Sequence, residues 1–231
     1  MRFTDPVFQT NVIYLFDMIG TVIFAITGGI RGARLKLDLL GVIVFACTVG
    51  VGGGMVRDML IGNVPVTAFR HGIYLVVCLL TGLIVFFLSP LVRRGRDLIQ
   101  IFDAFGLGVF TAIGAAKGVE LGLSIPGILL SGVITAVGGG VIRDIMSCRI
   151  PVVLTSDFYA TASILGAALY LALAQTGAIP FFWMFLLVMA FVTGIRLLAV
   201  HYKVRLPVSG GKTAFFLYRR YRKKIRNSKD Q

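Results

Sequence analysis

The chain has 231 residues, of which 57 % are hydrophobic and only 14 % charged, with a mean hydropathy of +0.91. A soluble domain of this size has too little interior to hide that much apolar surface, which leaves the membrane class. The formal charge of +13 is uneven: after His201 there are ten Lys/Arg against one acid, Asp230, so the basicity belongs mainly to a tail.

Only Arg2 precedes the first apolar run, Asp17 interrupts it, and no small-x-small site closes it. The N-terminus therefore reads as a first span rather than a cleaved signal. Seven apolar stretches of bilayer-spanning length are expected at about 11–30, 39–61, 72–92, 98–116, 125–146, 158–175 and 180–200. The runs are continuous, rich in glycine and alanine and free of strand alternation, so helices are expected rather than a barrel. Pro6, Pro65, Pro126, Pro151, Pro180 and Pro207 punctuate them. Cys47, Cys78 and Cys148 lie in or at the end of apolar runs and read as small buried residues, with no disulfide framework.

Positive charge orients the spans. The basic tail is expected in the cytoplasm, and an odd number of spans then puts the N-terminus outside. Arg31, Arg34 and Lys36 follow span one, and Arg93, Arg94 and Arg96 follow span three, both on the cytoplasmic side. The expected layout is a single transmembrane domain over 1–206 and a flexible basic tail over 207–231.

The chain repeats itself. Shifted by 86, residues 16–66 match 102–152 at seventeen of fifty-one positions without a gap. Phe16-Asp17 falls on Phe102-Asp103, Phe24 on Phe110 and Pro65-Val66 on Pro151-Val152. The heptapeptide Gly52-Gly53-Gly54-Met55-Val56-Arg57-Asp58 falls on Gly138-Gly139-Gly140-Val141-Ile142-Arg143-Asp144. Shared apolar composition does not match Asp, Arg and Pro. The period holds three spans, an odd number, so the second copy is expected to insert upside down, with a site between the copies near the midplane. The fold expected is an all-α integral membrane protein of seven transmembrane helices. Two inverted three-helix repeats (about 11–92 and 98–175) are followed by a seventh helix (about 180–200).

Each heptapeptide combines two penalties. Glycine costs about 1 kcal/mol per residue in a helix relative to alanine, and an ionised group at membrane depth costs roughly 2.5–3.5 kcal/mol or more. Carried twice, these point to the lining of a path. Where spans two and five unwind or kink at the glycines, carbonyl oxygens would be freed for K⁺ or Na⁺. Adjacent helical residues do not face each other, so Arg57 is expected to pair with Asp17 and Arg143 with Asp103. Four acids (Asp17, Asp58, Asp103, Asp144) against two arginines would favour cations.

Other features have plainer readings. Gly20, Gly28, Gly32, Gly106 and Gly114 read as close-packing surfaces. Lys117 reads as an interface anchor or a gate, and Arg196 as a snorkelling side chain. The aromatic and basic run Phe215–Arg226 would suit anionic lipid headgroups; nucleic acid is not expected as a partner. Ser209-Gly210-Gly211-Lys212-Thr213 is no phosphate loop, because Leu206 stands where that motif needs glycine. No Ser/His/Asp or metal-spaced cluster points to an enzyme, and neither a cofactor nor a resident metal is expected.

Two copies of GGGxxRD in a three-plus-three-plus-one helix plan resemble the bacterial members of the trimeric intracellular cation channel (TRIC) family, also grouped under the glycine transporter or UPF0126 name. The resemblance spans about residues 10–200. It implies a homotrimer with one pore per subunit, kinked at the triglycines and passing monovalent cations, chiefly K⁺. Gly52–Gly54 and Gly138–Gly140 would then be pore-associated, with Arg57, Asp58, Arg143 and Asp144 nearby. Animal members carry Lys-Glu-Val in the fourth span; here the run is Lys117-Gly118-Val119, without the glutamate. The rival expectations are a secondary carrier for a small zwitterion such as glycine, and a membrane scaffold with no path.

Overall fold

The computed structural model describes residues 6–92, 98–155 and 158–202. Among them all regular structure is helical. In chain order the helices are α1 (Pro6–Arg34), α2 (Leu39–Leu60), α3 (Thr67–Arg70), α4 (Ile73–Phe87) and α5 (Ser89–Val92). Then follow α6 (Leu98–Glu120), α7 (Ile125–Met146), α8 (Val152–Thr155), α9 (Ala160–Thr176) and α10 (Phe181–Tyr202). Five of these, α1, α2, α6, α7 and α10, are long and apolar enough to cross a membrane. The apolar helices α4 and α9 have 15 and 17 residues, shorter than the stretches expected at 72–92 and 158–175. Arg93, Arg94, Arg96 and the basic tail lie outside the described residues.

Local chemistry sets the ends. Asp38 caps α2, its Oδ1 accepting from Gly41 N at 2.7 Å, which supplies one of the orphan donors of a first turn. Gly177 closes α9 in the left-handed conformation at φ +61. Pro65 and Pro151, which cannot donate, follow the ends of α2 and α7. The chain then folds straight into the short helices α3 and α8, which the sequence reading did not anticipate.

α1 packs on α2 and α6 on α7, and the pairs join through α1 against α6 and α2 against α7. The contacts between the two copies are reciprocal. Phe24 and Phe110, equivalent under the 86-residue shift, meet with ring centroids 5.0 Å apart. A Cβ on Gly20 would strike the Phe110 ring, and one on Gly106 the Phe24 ring. These equivalent contacts answer each other across the α1–α6 seam. α10 lies outside it, packed on α6 and α9. The packing role expected of Gly20, Gly28, Gly32, Gly106 and Gly114 holds at each, since a Cβ would press on the facing helix.

The triplets correct one expectation. Both α2 and α7 run without interruption through 52–54 and 138–140, so the glycines are not unwound. They are where the two helices cross. A Cβ on Gly53 would lie 2.5 Å from the Thr135 carbonyl oxygen, and one on Gly139 2.6 Å from that of Val49. Close backbone contact supports both helices against glycine's weak propensity.

Two smaller expectations also change. Arg196 does not snorkel: it is buried, with its guanidinium 4.9 Å from the Tyr159 ring centroid. Cys78 is buried as expected, but Cys148 is exposed in the turn after α7.

Candidate functional site

Each heptapeptide builds one buried ionic cluster. In the first, Arg57 and Asp58 are each only 1 % exposed. Arg57 gives both Nη2 and Nε to Asp58 Oδ1, at 2.8 and 2.9 Å. Asp58 Oδ2 accepts from Thr67 N at 2.8 Å, so the start of α3 pins the carboxylate from its other side. Asp17, also buried, accepts from the Tyr74 hydroxyl at 2.9 Å.

The expected Arg57–Asp17 pair is therefore absent. Adjacent helical side chains do diverge, but the arginine stem is long enough to fold back onto a carboxylate that α3 holds in place. Tyr74 takes the donor's role toward Asp17. Among the described residues Arg57 Nη1 has no hydrogen-bond partner within the protein.

In the second cluster the expected pair is made. Arg143 Nη1 lies 2.7 Å from Asp103 Oδ1, and Nε 3.1 Å from Asp144 Oδ1. The same Nη1 donates to Thr27 Oγ1 at 3.3 Å. Asp144 Oδ2 accepts from Val152 N at 3.0 Å, repeating the Asp58–α3 arrangement. Two aspartates on one guanidinium make this cluster the more tightly bound of the two.

Each cluster also receives a cation from the first helix of the other copy. Lys117, half-buried, faces Arg57, Asp58, Asp17 and Glu120. Arg31, buried, donates from Nε to Ser147 Oγ at 2.9 Å and sits among Arg149, Asp144, Arg143 and Arg34. Arg31 and Lys117 are equivalent under the 86-residue shift. Adding them to Arg57 and Arg143 gives four cations against the four aspartates, so the acid surplus drawn from sequence does not stand. α1 supplies Asp17 to the first cluster and Arg31 to the surroundings of the second, while α6 supplies Asp103 to the second and Lys117 to the surroundings of the first.

The third glycine of each triplet differs from the first two. A Cβ on Gly54 would meet only Arg57 Nη2, at 3.7 Å. One on Gly140 would lie 2.9 Å from the Tyr159 hydroxyl and 3.6 Å from Arg143 Nη2 and Asp103 Oδ1. Gly52, Gly53, Gly138 and Gly139 hold the helices together, while Gly54 and Gly140 open toward the guanidinium.

Solvent-sized space reaches the first cluster. A cavity of about 450 Å³ is lined by Asp17, Asn63, Arg70, His71, Tyr74, Lys117 and Glu120 among others. A second, of about 20 Å³, lies among Asp17, Gly50, Gly54, Arg57, Asp58, Tyr74 and Phe110. The two share Asp17, Thr67 and Tyr74. The smaller one has room for about one water. Tyr74, Tyr159, Ser147 and Arg31 are parts of these sites that sequence reasoning missed; only Arg31 carried a signal, its alignment with Lys117.

Tyr74→Phe removes the hydroxyl that serves buried Asp17. It is expected to cost about 1.5–3 kcal/mol, the worth of a hydrogen bond to a charged group. Thermal unfolding in detergent checks this against Tyr14→Phe, an exposed ring edge-on to Tyr74. Equal shifts for the two would contradict the assignment.

Comparison with known proteins agrees with this geometry. Residues 14–90 and 100–175 each match the family described as glycine transporter, one match per copy. The UPF0126 inner membrane protein YadS of Escherichia coli K12 is 34 % identical over 199 residues, 85 % of this chain and 95 % of that one. The TRIC trimeric intracellular cation channel orthologue from Rhodobacter sphaeroides superposes with a TM-score of 0.79 at 30 % identity, covering 84 % of this chain and 99 % of that one. A prokaryotic TRIC channel crystallised in 0.5 M KCl gives a TM-score of 0.77 at 28 % identity, covering 85 % and 100 %. The chain is thus a multi-pass membrane protein, and it belongs to the TRIC/UPF0126 family.

Proposed function

We propose that this protein is a cation channel, permeable to K⁺, with one path per subunit of a homotrimer. Seven crossings make up the subunit: the five long helices and the shorter α4 and α9. The two copies insert in opposite senses, which is supported by the Asp17 end of α1 lying beside the Lys117 end of α6. The transmembrane body comprises 1–206 and sits in the inner membrane, with the N-terminus outside and the basic tail over 207–231 in the cytoplasm, against anionic headgroups.

The observation that carries this reading is the cavity of about 20 Å³ beside Gly54 and Arg57, which shares the walls Asp17, Thr67 and Tyr74 with the larger one. There the Arg57 charge is already matched by Asp58, so Asp17, bonded to the neutral Tyr74 hydroxyl, is the carboxylate left to meet a permeating cation. Lys117 stands in the same vestibule and is the gate: with its ammonium near Asp17 the cation's place is taken. The second cluster, Asp103, Arg143, Asp144 and Gly140, forms the opposite end. The solved neighbours being cation channels supports the same assignment.

Purified protein in a planar bilayer under a KCl gradient tests it. Reversal near the potassium equilibrium potential is expected, with smaller currents for Asp17→Asn. Ohmic current without cation preference would overturn it. A second reading, a carrier of a small zwitterion, is favoured by the vestibule holding Asp17 and Glu120 beside Lys117 and Arg70. That reading requires saturable uptake of labelled glycine into proteoliposomes and no unitary current.

A further inference from the structure

We infer that Arg31 is a latch that closes the Asp103–Arg143–Asp144 mouth, held shut by its hydrogen bond to Ser147; the inference rests on the channel reading. Arg31 Nε donates to Ser147 Oγ at 2.9 Å, and the same hydroxyl donates to the Arg143 carbonyl at 2.6 Å. The chain of bonds ties the end of α1 to the end of α7, directly over the second cluster. Only 7 % of Arg31 is exposed, so its side chain is folded against the protein rather than out in solvent.

Its charge surroundings are the reverse of those at Lys117. Lys117 faces one cation, Arg57, and three acids, Asp58, Asp17 and Glu120. Arg31 faces three cations, Arg149, Arg143 and Arg34, and one acid, Asp144. Asp144 is itself already engaged by Arg143 Nε and Val152 N. Among the described groups, Arg31 thus has fewer acids about it than Lys117 has. Among the described residues Arg31 bonds to Ser147, at the C-terminal cap of α7, followed at once by Cys148 with φ +52. A guanidinium tied across the two helix ends through a neutral hydroxyl is free to swing away once that bond breaks, and when it does the cluster is uncovered.

The test reads accessibility as well as current. Thr27, fully buried one turn deeper than Arg31 and bonded to Arg143, is replaced by cysteine in a background without the native cysteines. Maleimide labelling of reconstituted full-length protein is then timed with and without Ser147→Ala. Loss of a hydrogen bond to a charged donor raises the open fraction about tenfold, so labelling should accelerate by about that factor. Arg31→Ala should accelerate it at least as much, and Lys117→Gln should leave it unchanged. In bilayers Ser147→Ala should raise the open probability.

Labelling that is unchanged by Ser147→Ala while Arg31→Ala folds normally would overturn the latch and leave Arg31 a packing residue. Accelerated labelling in a protein that passes no current would sink the channel reading and retain the latch. Ser147 is only partly buried, so its truncation tests the idea even if Arg31→Ala fails to fold.

Discussion

Replacing Arg143 by methionine is expected to destabilise the protein far more than the same change at Arg57. Both arginines are almost wholly buried, but they neutralise different numbers of acids. Without Arg143, Asp103 and Asp144 are left buried with no guanidinium between them. Breaking a buried ion pair from one side costs about 3–5 kcal/mol, because the remaining charge is uncompensated. Arg57→Met strands only Asp58, which keeps the Thr67 N–H, while Asp17 keeps Tyr74. Heating the detergent-solubilised proteins and following the folded peak by size exclusion measures the difference. Adding Asp103→Leu to Arg143→Met should recover part of the loss, since a hydrophobic replacement of both partners can be neutral. Equal losses at the two arginines would mean that the clusters are not built as described.

The second large effect separates neighbouring glycines. Gly53→Ala sets a methyl against backbone, 2.5 Å from the Thr135 oxygen and 3.1 Å from Gly139 N. Backbone cannot rotate aside, so α2 and α7 must part, an overpacking cost of about 1–3 kcal/mol. Gly54→Ala meets nothing nearer than Arg57 Nη2 at 3.7 Å and gains about 1 kcal/mol of helix propensity. Its methyl, however, intrudes on the cavity of about 20 Å³, leaving less than the ~10–15 Å³ that a water occupies. Gly53→Ala should therefore lower the melting temperature. Gly54→Ala should keep or raise it while cutting unitary conductance toward baseline. If Gly54→Ala conducts like the parent, the narrow cavity is not on the path.

How far the sequence carried depended on whether the information was periodic. The doubled heptapeptide and the apolar runs are repetition and composition, and they led to the helices, the family and the residues that meet in each cluster. Partner choice was harder. Helical geometry correctly separates residues 57 and 58, yet it says nothing of a short helix ten residues on that pins Asp58 and lets Arg57 fold back. Proline at 65 and 151 marked the interruption without revealing that a helix begins just after it. The triglycines were misjudged because propensity was weighed without the partner helix, whose backbone contact reverses the balance. Arg31 was assigned to a loop by its position after span one, although its register with Lys117 already placed it in a cluster. Tyr74 and Tyr159 sit 85 residues apart, one out of step with the rest, and so escaped the ungapped match.

The seating of α10 shows where the duplicated halves parted ways. It rests on α6 where Gly108 leaves a hollow, since a Cβ there would meet the Thr193 hydroxyl and the Met189 carbonyl oxygen. Under the 86-residue shift the matching position in α1 is Val22, which carries the branched side chain that Gly108 lacks. A helix laid on the first half to mirror α10 would meet that side chain where α10 meets bare backbone. The molecule is in this sense lopsided by one methylated position: a doubled scaffold that accepts its extra member on a single flank.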